Sequence, residues 1–219
     1  MSAVSRETLL PFLPHDADPG LLDRYADILA TDGVTQGLIG PREAPRLWER
    51  HLLNCALVVV PSPGLVPAGS LVADVGSGAG LPGLVWALVR PDLRVVLIEP
   101  LLRRATFLER AVDDLGLTGR AVVARDRAEQ LSGTLAVDVV TARAVAPLDR
   151  LARWTLPLVR PGGALLALKG RSAAEEIART GSALGELGAE PAELVTVGAG
   201  VVPEPTRVVI VRRRRQHQG

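Results

Sequence analysis

Apolar residues recur every three or four positions in the first quarter of the chain and every second position, or in short unbroken runs, after it. Leu21, Leu22, Tyr25, Ile28 and Leu29 form one stripe, and Leu47, Trp48, Leu52, Ala56, Leu57 and Val60 a second. Both have the period of an amphipathic helix. Residues 5–60 are therefore predicted helical, with turns at 15–20 and 37–41. Three prolines and two glycines within 61–69 stop the helix and mark a subdomain boundary. From Leu71 the pattern alternates. Strands are predicted at 71–75, 94–99 (RVVLIE), 120–124, 136–141 (AVDVVT) and 164–169, with helices at 101–115, 147–159 and 172–187. Residues 160–163 (RPGG) read as a turn before the fifth strand. Ser172 is placed to cap the last helix, with Glu175 at the reciprocal capping-box position. Two final strands, 193–197 and 207–211, are expected to pair antiparallel.

Strands alternating with helices imply an α/β sheet with right-handed crossovers, mostly parallel, with the last strand antiparallel. The organisation expected is an N-terminal helical subdomain over 1–62, a sheet domain over 63–211 and a basic tail over 212–219. In open sheets of this kind ligands bind at the carboxyl ends of the strands. The chemistry is therefore expected near Gly76, Glu99, residues 125–129, residues 141–144 and Lys169.

Composition narrows the setting. Apolar residues make up 47% of the 219 positions and aromatics only 3%. The core must then be built from Leu, Val and Ala. A net charge of +1 gives no global attraction to a polyanion, so any nucleic-acid surface is local. One cysteine, Cys55, excludes an intrachain disulfide and fits a reducing compartment. No signal peptide is read in 9–13, which Pro11 interrupts, and prolines break every long apolar run. A cytoplasmic protein with no membrane partner is expected.

The sharpest motif is LVADVGSGAGLPG at 71–83. An apolar strand ends near Asp74, then Gly76, Gly78 and Gly80 alternate, and Pro82 suits the first turn of a helix. Alternating glycines let the backbone turn sharply and approach a ligand with no side chain between. A dinucleotide fingerprint would need glycine where Leu81 stands. The G-x-G-x-G spacing after an acid instead resembles the first motif of S-adenosylmethionine-dependent methyltransferases. A tight turn without a ligand is the plain alternative.

Glu99 closes the second strand, 23 residues after Gly76, where a carboxylate can accept both ribose hydroxyls of an adenosine. Asp126 and Glu129 follow the third strand and could face an adenine, or equally be solvated loop acids. If the chain is a methyltransferase, the fourth strand faces the acceptor. That stretch holds Arg143 but no Asn- or Asp-Pro-Pro-aromatic motif of amine methylation, and Cys55 is remote from it. An acceptor that is already nucleophilic, such as a ring nitrogen, remains. Lys169 is the only lysine among 25 basic residues, which suggests that a compact ammonium is needed there. His51, beside Arg50, reads from spacing alone as a structural histidine. Arg103 and Arg104 open a helix, where cations oppose the helix dipole and a phosphate role is plausible. Arg207 and residues 212–215 make the C-terminal region basic, either tracking phosphates or simply solvated.

Taken in order, these motifs resemble the bacterial RsmG (formerly GidB) family, which methylates N7 of a guanine in small-subunit ribosomal RNA. The match rests on Arg50-His51, DVGSGAGLPG at 74–83, Arg103-Arg104 with Phe107-Leu108, Arg127-Ala128-Glu129, Ala142-Arg143-Ala144 and Leu168-Lys169-Gly170. Asn54-Cys55 and Arg103 depart from common family residues. The resemblance implies a Rossmann-like methyltransferase sheet with S-adenosyl-L-methionine as cofactor. It places cofactor contacts at Asp74, Gly76, Gly78, Gly80, Leu81, Glu99, Ala128, Glu129 and Arg143. It further implies catalytic roles for Arg143, Lys169 and His51, and RNA contacts by Arg50, His51, Arg103, Arg104 and Lys169. The implied partner is 16S ribosomal RNA, within the small subunit or its precursor, with no DNA, no metal and a monomeric enzyme. A methyltransferase for another RNA or a small molecule is the alternative. A nicotinamide-dependent reductase is disfavoured by Leu81, and a noncatalytic RNA-binding factor would differ in lacking cofactor binding.

Overall fold

The computed structural model describes residues 6–60 and 64–215. The start of the predicted helical region, the boundary at 62–63 and the last four residues of the basic tail lie outside them. A seven-stranded sheet carries the order β3-β2-β1-β4-β5-β7-β6. Its strands are β1 (Leu71–Val75), β2 (Arg94–Ile98), β3 (Ala121–Ala124), β4 (Val137–Arg143), β5 (Val159–Lys169), β6 (Glu193–Val197) and β7 (Thr206–Arg212). The first five are parallel, and β7 runs antiparallel to both β5 and β6. The chain winds outward from β1 to β3, then returns to lay β4 on the other side of β1. The gap between the ends of β1 and β4 is thus the topological switch point, where such sheets bind ligands.

Period-two alternation sends successive side chains to opposite faces. In β7, Val208 and Ile210 enter one core while Val209 and Val211 enter the other. The first core packs α3 (Gly83–Val89) and α4 (Leu102–Asp114) on the sheet, together with the N-terminal helices. The second packs α5 (Leu148–Thr155) and α6 (Ala173–Glu186). In the N-terminal region α1 (Pro19–Ile28) runs into a π-helical turn, Leu29–Gly33. A second π-helical turn, Trp48–Leu52, leads into the short α2 (Leu53–Ala56) and carries Arg50 and His51. Trp86 of α3 is fully buried and donates its indole N–H to the Cys55 carbonyl at 3.0 Å. That bond fastens the N-terminal helices to the sheet.

Several local expectations shift. The RPGG segment lies inside β5: Val137 pairs with Val159 and Val139 with Ala164, so the extra residues form an irregularity within the strand. Gly162 sits at φ +83°, and a Cβ on Gly163 would meet the Asp138 carbonyl at 2.4 Å. Arg143 is the last residue of β4 rather than just past it. Pro82 occupies the cap position, and α3 begins at Gly83. Ser172 makes no side-chain cap; its hydroxyl donates instead to Glu176 at 3.0 Å, and Glu175 is exposed. Arg212 completes β7 and pairs with Glu193, and Arg213 donates to the carbonyls of Leu156, Pro157 and Val159.

Trp86→Ala should destabilise the protein by about 3–5 kcal/mol, the cost of a large cavity and one lost hydrogen bond. Urea unfolding followed by circular dichroism checks it.

Candidate active site at the switch point

The turn after β1 needs three left-handed residues, Gly76 (φ +69°), Gly78 (φ +57°) and Gly80 (φ +93°). At Gly80 a side chain is also excluded by space, since a Cβ would lie 2.4 Å from Leu84 Cδ1 and 2.8 Å from the Tyr25 hydroxyl. Tyr25 donates to the Ala79 carbonyl at 2.6 Å from beneath. Asp74 is fully buried under the turn, where Oδ2 accepts the Gly83 amide at 3.0 Å. Its Oδ1 has no hydrogen-bond partner among the described residues. Burial, only partly offset by the Gly83 bond, pushes its pKa up to about 7.

Beside the turn lies a cleft of about 320 Å³, the size of a nucleoside pocket. Its apolar walls include Ile98, Leu101 and Trp154, and its polar groups Glu99, Asp126 and Glu129. The Glu99 carboxylate is almost wholly buried. One oxygen accepts the Gly78 amide and the other the Leu101 amide, each at 3.1 Å, with Arg104 3.7 Å away. A carboxylate oxygen has a second lone pair, so both can still accept hydroxyls.

A larger cleft of about 1020 Å³ is lined by Arg50, His51, Arg143, Lys169, Arg179 and Arg207, with Glu43, Glu176 and Glu204 among them. The Arg143 guanidinium donates to the Arg50 carbonyl at 3.1 Å, the Cys55 sulfur at 3.3 Å and His51 Nδ1 at 2.7 Å. Because arginine can only donate, Nδ1 must be the acceptor and Nε2 carries the proton. Nε2 then donates to Glu43 at 3.0 Å. Burial, and next the Arg143 charge, hold the His51 pKa below the ordinary imidazole value. Glu43 is held low despite burial, by the His51 bond and by Arg50, which donates to it at 3.0 Å. Lys169 Nζ donates to the Ala146 carbonyl at 2.6 Å and to Glu176 at 2.8 Å.

Residues 20–203 match the family model described as GidB, rRNA small subunit methyltransferase G. The chain belongs to the rRNA small subunit methyltransferase G family. A Salinispora tropica protein named ribosomal RNA small subunit methyltransferase G is 57% identical over 197 residues, 87% of this chain and 80% of that one. A Streptomyces coelicolor protein of the same name is 54% identical over 215 residues, 95% and 88%. Among solved structures, the [4+2]-cyclase SpnF superposes with a TM-score of 0.60 at 14% identity, covering 93% of this chain and 99% of SpnF. A SAM-dependent O-methyltransferase from Thermotoga maritima gives 0.51 at 16% identity over 70% and 63%. The likeness shows the Rossmann-like methyltransferase fold.

Within this family member, the residues expected from the sequence divide by position. Gly76, Glu99, Ala128 and Glu129 line the smaller cleft; Arg50, His51, Arg143 and Lys169 line the larger. Arg104, expected at RNA, lines the smaller cleft, and Arg103 lines neither. Asp74, Gly78, Gly80 and Leu81 do not line the cleft; they build the turn behind it. Sequence reasoning missed Tyr25, Glu43, Val145 and Glu176. Tyr25 and Val145 meet partners far along the chain, while Glu43 and Glu176 are engaged by His51 and Lys169 close in sequence, and only the unusual lysine hinted at a specific counter-group.

Two pH responses follow. Asp74 binds its proton more tightly folded than unfolded, so its contribution to stability is complete below about pH 4 and lost as pH rises through about 7. Asp74→Asn should abolish that part of the decline in Tm between pH 5 and 8. His51 has the opposite sense: acid protonates Nδ1 and removes the acceptor for Arg143. Activity should fall as pH drops below the ordinary imidazole range, and His51→Asn, whose amide oxygen accepts at any pH, should flatten that acid limb of the kcat profile.

Proposed function

We propose that this protein transfers a methyl group from S-adenosylmethionine to N7 of a guanine in a decoding-region loop of small-subunit (16S) ribosomal RNA. The observation that carries this is the meeting of two unlike clefts at Val145, a small one lined by Glu99, Asp126 and Glu129, and a large one lined by six cations, Arg50, Arg143, Lys169, Arg171, Arg179 and Arg207, and three glutamates. The smaller cleft suits the cofactor. A side chain at Gly76 would fill its approach, and the Glu99 oxygens keep free lone pairs at the place where a ribose would need them. Asp126 and Glu129 are positioned for an adenine amine. When bound, the cofactor supplies an electrophilic methyl group.

The residues at hand favour a nucleophilic ring nitrogen as acceptor. Guanine N7 carries an available lone pair, so no base has to remove a proton for attack. His51 is held neutral, with both nitrogens engaged, which suits orientation of Arg143 rather than proton transfer. Cys55 is fully buried behind Arg143, and burial pushes its thiol pKa up, which disfavours attack on a pyrimidine carbon. Arg143, Lys169 and Arg50-His51 position the base and its phosphates. Lys169 has one ammonium hydrogen beyond its two protein bonds for this purpose. A-form duplex hides N7, so the target is unpaired. We read the enzyme as a cytoplasmic monomer acting on the small subunit or its precursor. Among the described residues no helix is long and apolar enough to cross a membrane.

Incubation with labelled S-adenosylmethionine and small subunits lacking the modification should yield 7-methylguanosine in 16S RNA. Label in protein or in a metabolite instead would overturn the assignment. Lys169→Ala should lower kcat/KM by about tenfold or more, with the Kd for S-adenosylhomocysteine near wild type.

A further inference from the structure

Among the described residues only Val145 lines both clefts. A Cβ on Gly76 would lie 2.8 Å from Val145 Cγ2, so the valine methyls rest on the glycine that opens the cofactor turn. For an acceptor in the large cleft to face a donor in the small one, this side chain sets the aperture between them. Its backbone is not relaxed. Ala144, directly before it, sits at φ +56°, the only left-handed residue other than glycine among those described. That conformation is strained for an alanine, whose Cβ crowds the following carbonyl. Such a geometry persists only where the surroundings over-determine it.

The restraint comes from the far side of the segment. Lys169 Nζ holds the Ala146 carbonyl at 2.6 Å, and the Leu148 amide donates to Glu176 Oε2 at 2.9 Å. The same Glu176 oxygen takes Lys169 at 2.8 Å, while Oε1 takes the Ser172 hydroxyl at 3.0 Å. Lys169 and Glu176 side chains are 10% and 12% exposed, so the pair is little weakened by solvent. Pro147, between the two tethered residues, has no amide to offer. A compact ammonium can serve a carbonyl and a carboxylate at once where a planar guanidinium would need a different geometry. This gives a physical reason for lysine at the one basic position where arginine is not used.

We propose that Glu176 is a positioning residue for the methyl transfer: through Lys169 and the Leu148 amide it fixes the 144–147 segment, and with it the Val145 side chain that separates donor from acceptor. The proposal rests on the methyl-transfer function above and gives Lys169 a second duty, exerted through backbone rather than on RNA. Glu176 touches neither reactant in this scheme. Its effect is on alignment, where small displacements weigh heavily on turnover.

The test uses the full chain with Glu176→Ala, Glu176→Gln, Val145→Ala and the Glu176→Ala/Val145→Ala double variant. Glu176→Ala should lower kcat about tenfold to a hundredfold, with KM for small subunits and the calorimetric Kd for S-adenosylhomocysteine within about twofold. Glu176→Gln keeps an acceptor for Leu148 and loses the charge, so it should fall between wild type and Ala. Amide exchange at Leu148 should quicken in Glu176→Ala, which removes its acceptor. Because both side chains act through one segment, the double variant should be no slower than Glu176→Ala alone. An unchanged kcat, or a lowered KM with kcat intact, would overturn the proposal, the latter because it would mean that Glu176 merely restrains a phosphate-binding Lys169. Unchanged Leu148 exchange in a folded Glu176→Ala protein would overturn it too. If the wild-type protein binds S-adenosylhomocysteine yet modifies no small subunit, the functional assignment fails, while the exchange measurement still reports on the segment.

Discussion

The guanidinium of Arg143 is the joint on which the active region is hung. It stands at the end of β4, beside the switch point, and reaches into the N-terminal helices to bond a carbonyl, a thiol and an imidazole. Withdrawing a guanidinium from water is costly unless its donors are met. Here the Arg50 carbonyl and His51 Nδ1 meet them, and the charge is answered one bond further on by Glu43. The chain Glu43, His51, Arg143 therefore orients each member and makes the wall of the large cleft rigid. It also welds two regions separated by 92 residues of sequence into a single surface.

The sheet contributes the other half of that rigidity. With so few aromatics, the two cores are filled by Leu, Val and Ala on alternate strand positions, and a single buried tryptophan bridges the sheet to the helical region. Such side chains have few rotamers and pack without needing polar partners. The exceptions are telling. Asp74, Ser77, Glu99 and Thr141 are buried polar groups at or just past the carboxyl ends of the strands. Asp74 and Glu99 each accept amides of the glycine turn or the helix start beside it.

Much of the architecture could be read from local pattern. The period of two gave the strands, the period of three to four gave the helices, and the glycine spacing located the turn. What escaped was whatever depends on contacts across the chain. Tyr25 looked unrelated to the α/β region, yet it props the glycine turn from 54 residues away. Ser172 and Glu175 had the spacing of a capping box, but the serine hydroxyl found a better acceptor in Glu176, which Lys169 had already drawn in. The RPGG stretch had every mark of a turn, and its irregularity is absorbed within β5 because Val159 still pairs with Val137. The three turn glycines were legible as a set, but not that Gly76 lines the cleft while Gly78 and Gly80 do not.

Placing β7 between β5 and β6 has a bearing on biosynthesis. β6 is made before β7 and, in the finished sheet, hydrogen-bonds to β7 alone. During synthesis the growing sheet therefore ends at β5, an open parallel border whose amides and carbonyls lack companions. An unpaired border of this kind invites adhesion between neighbouring nascent chains. The hairpin of β6 and β7 closes it in one movement, so the ordering of the last two strands is a late and collective event in the life of the polypeptide.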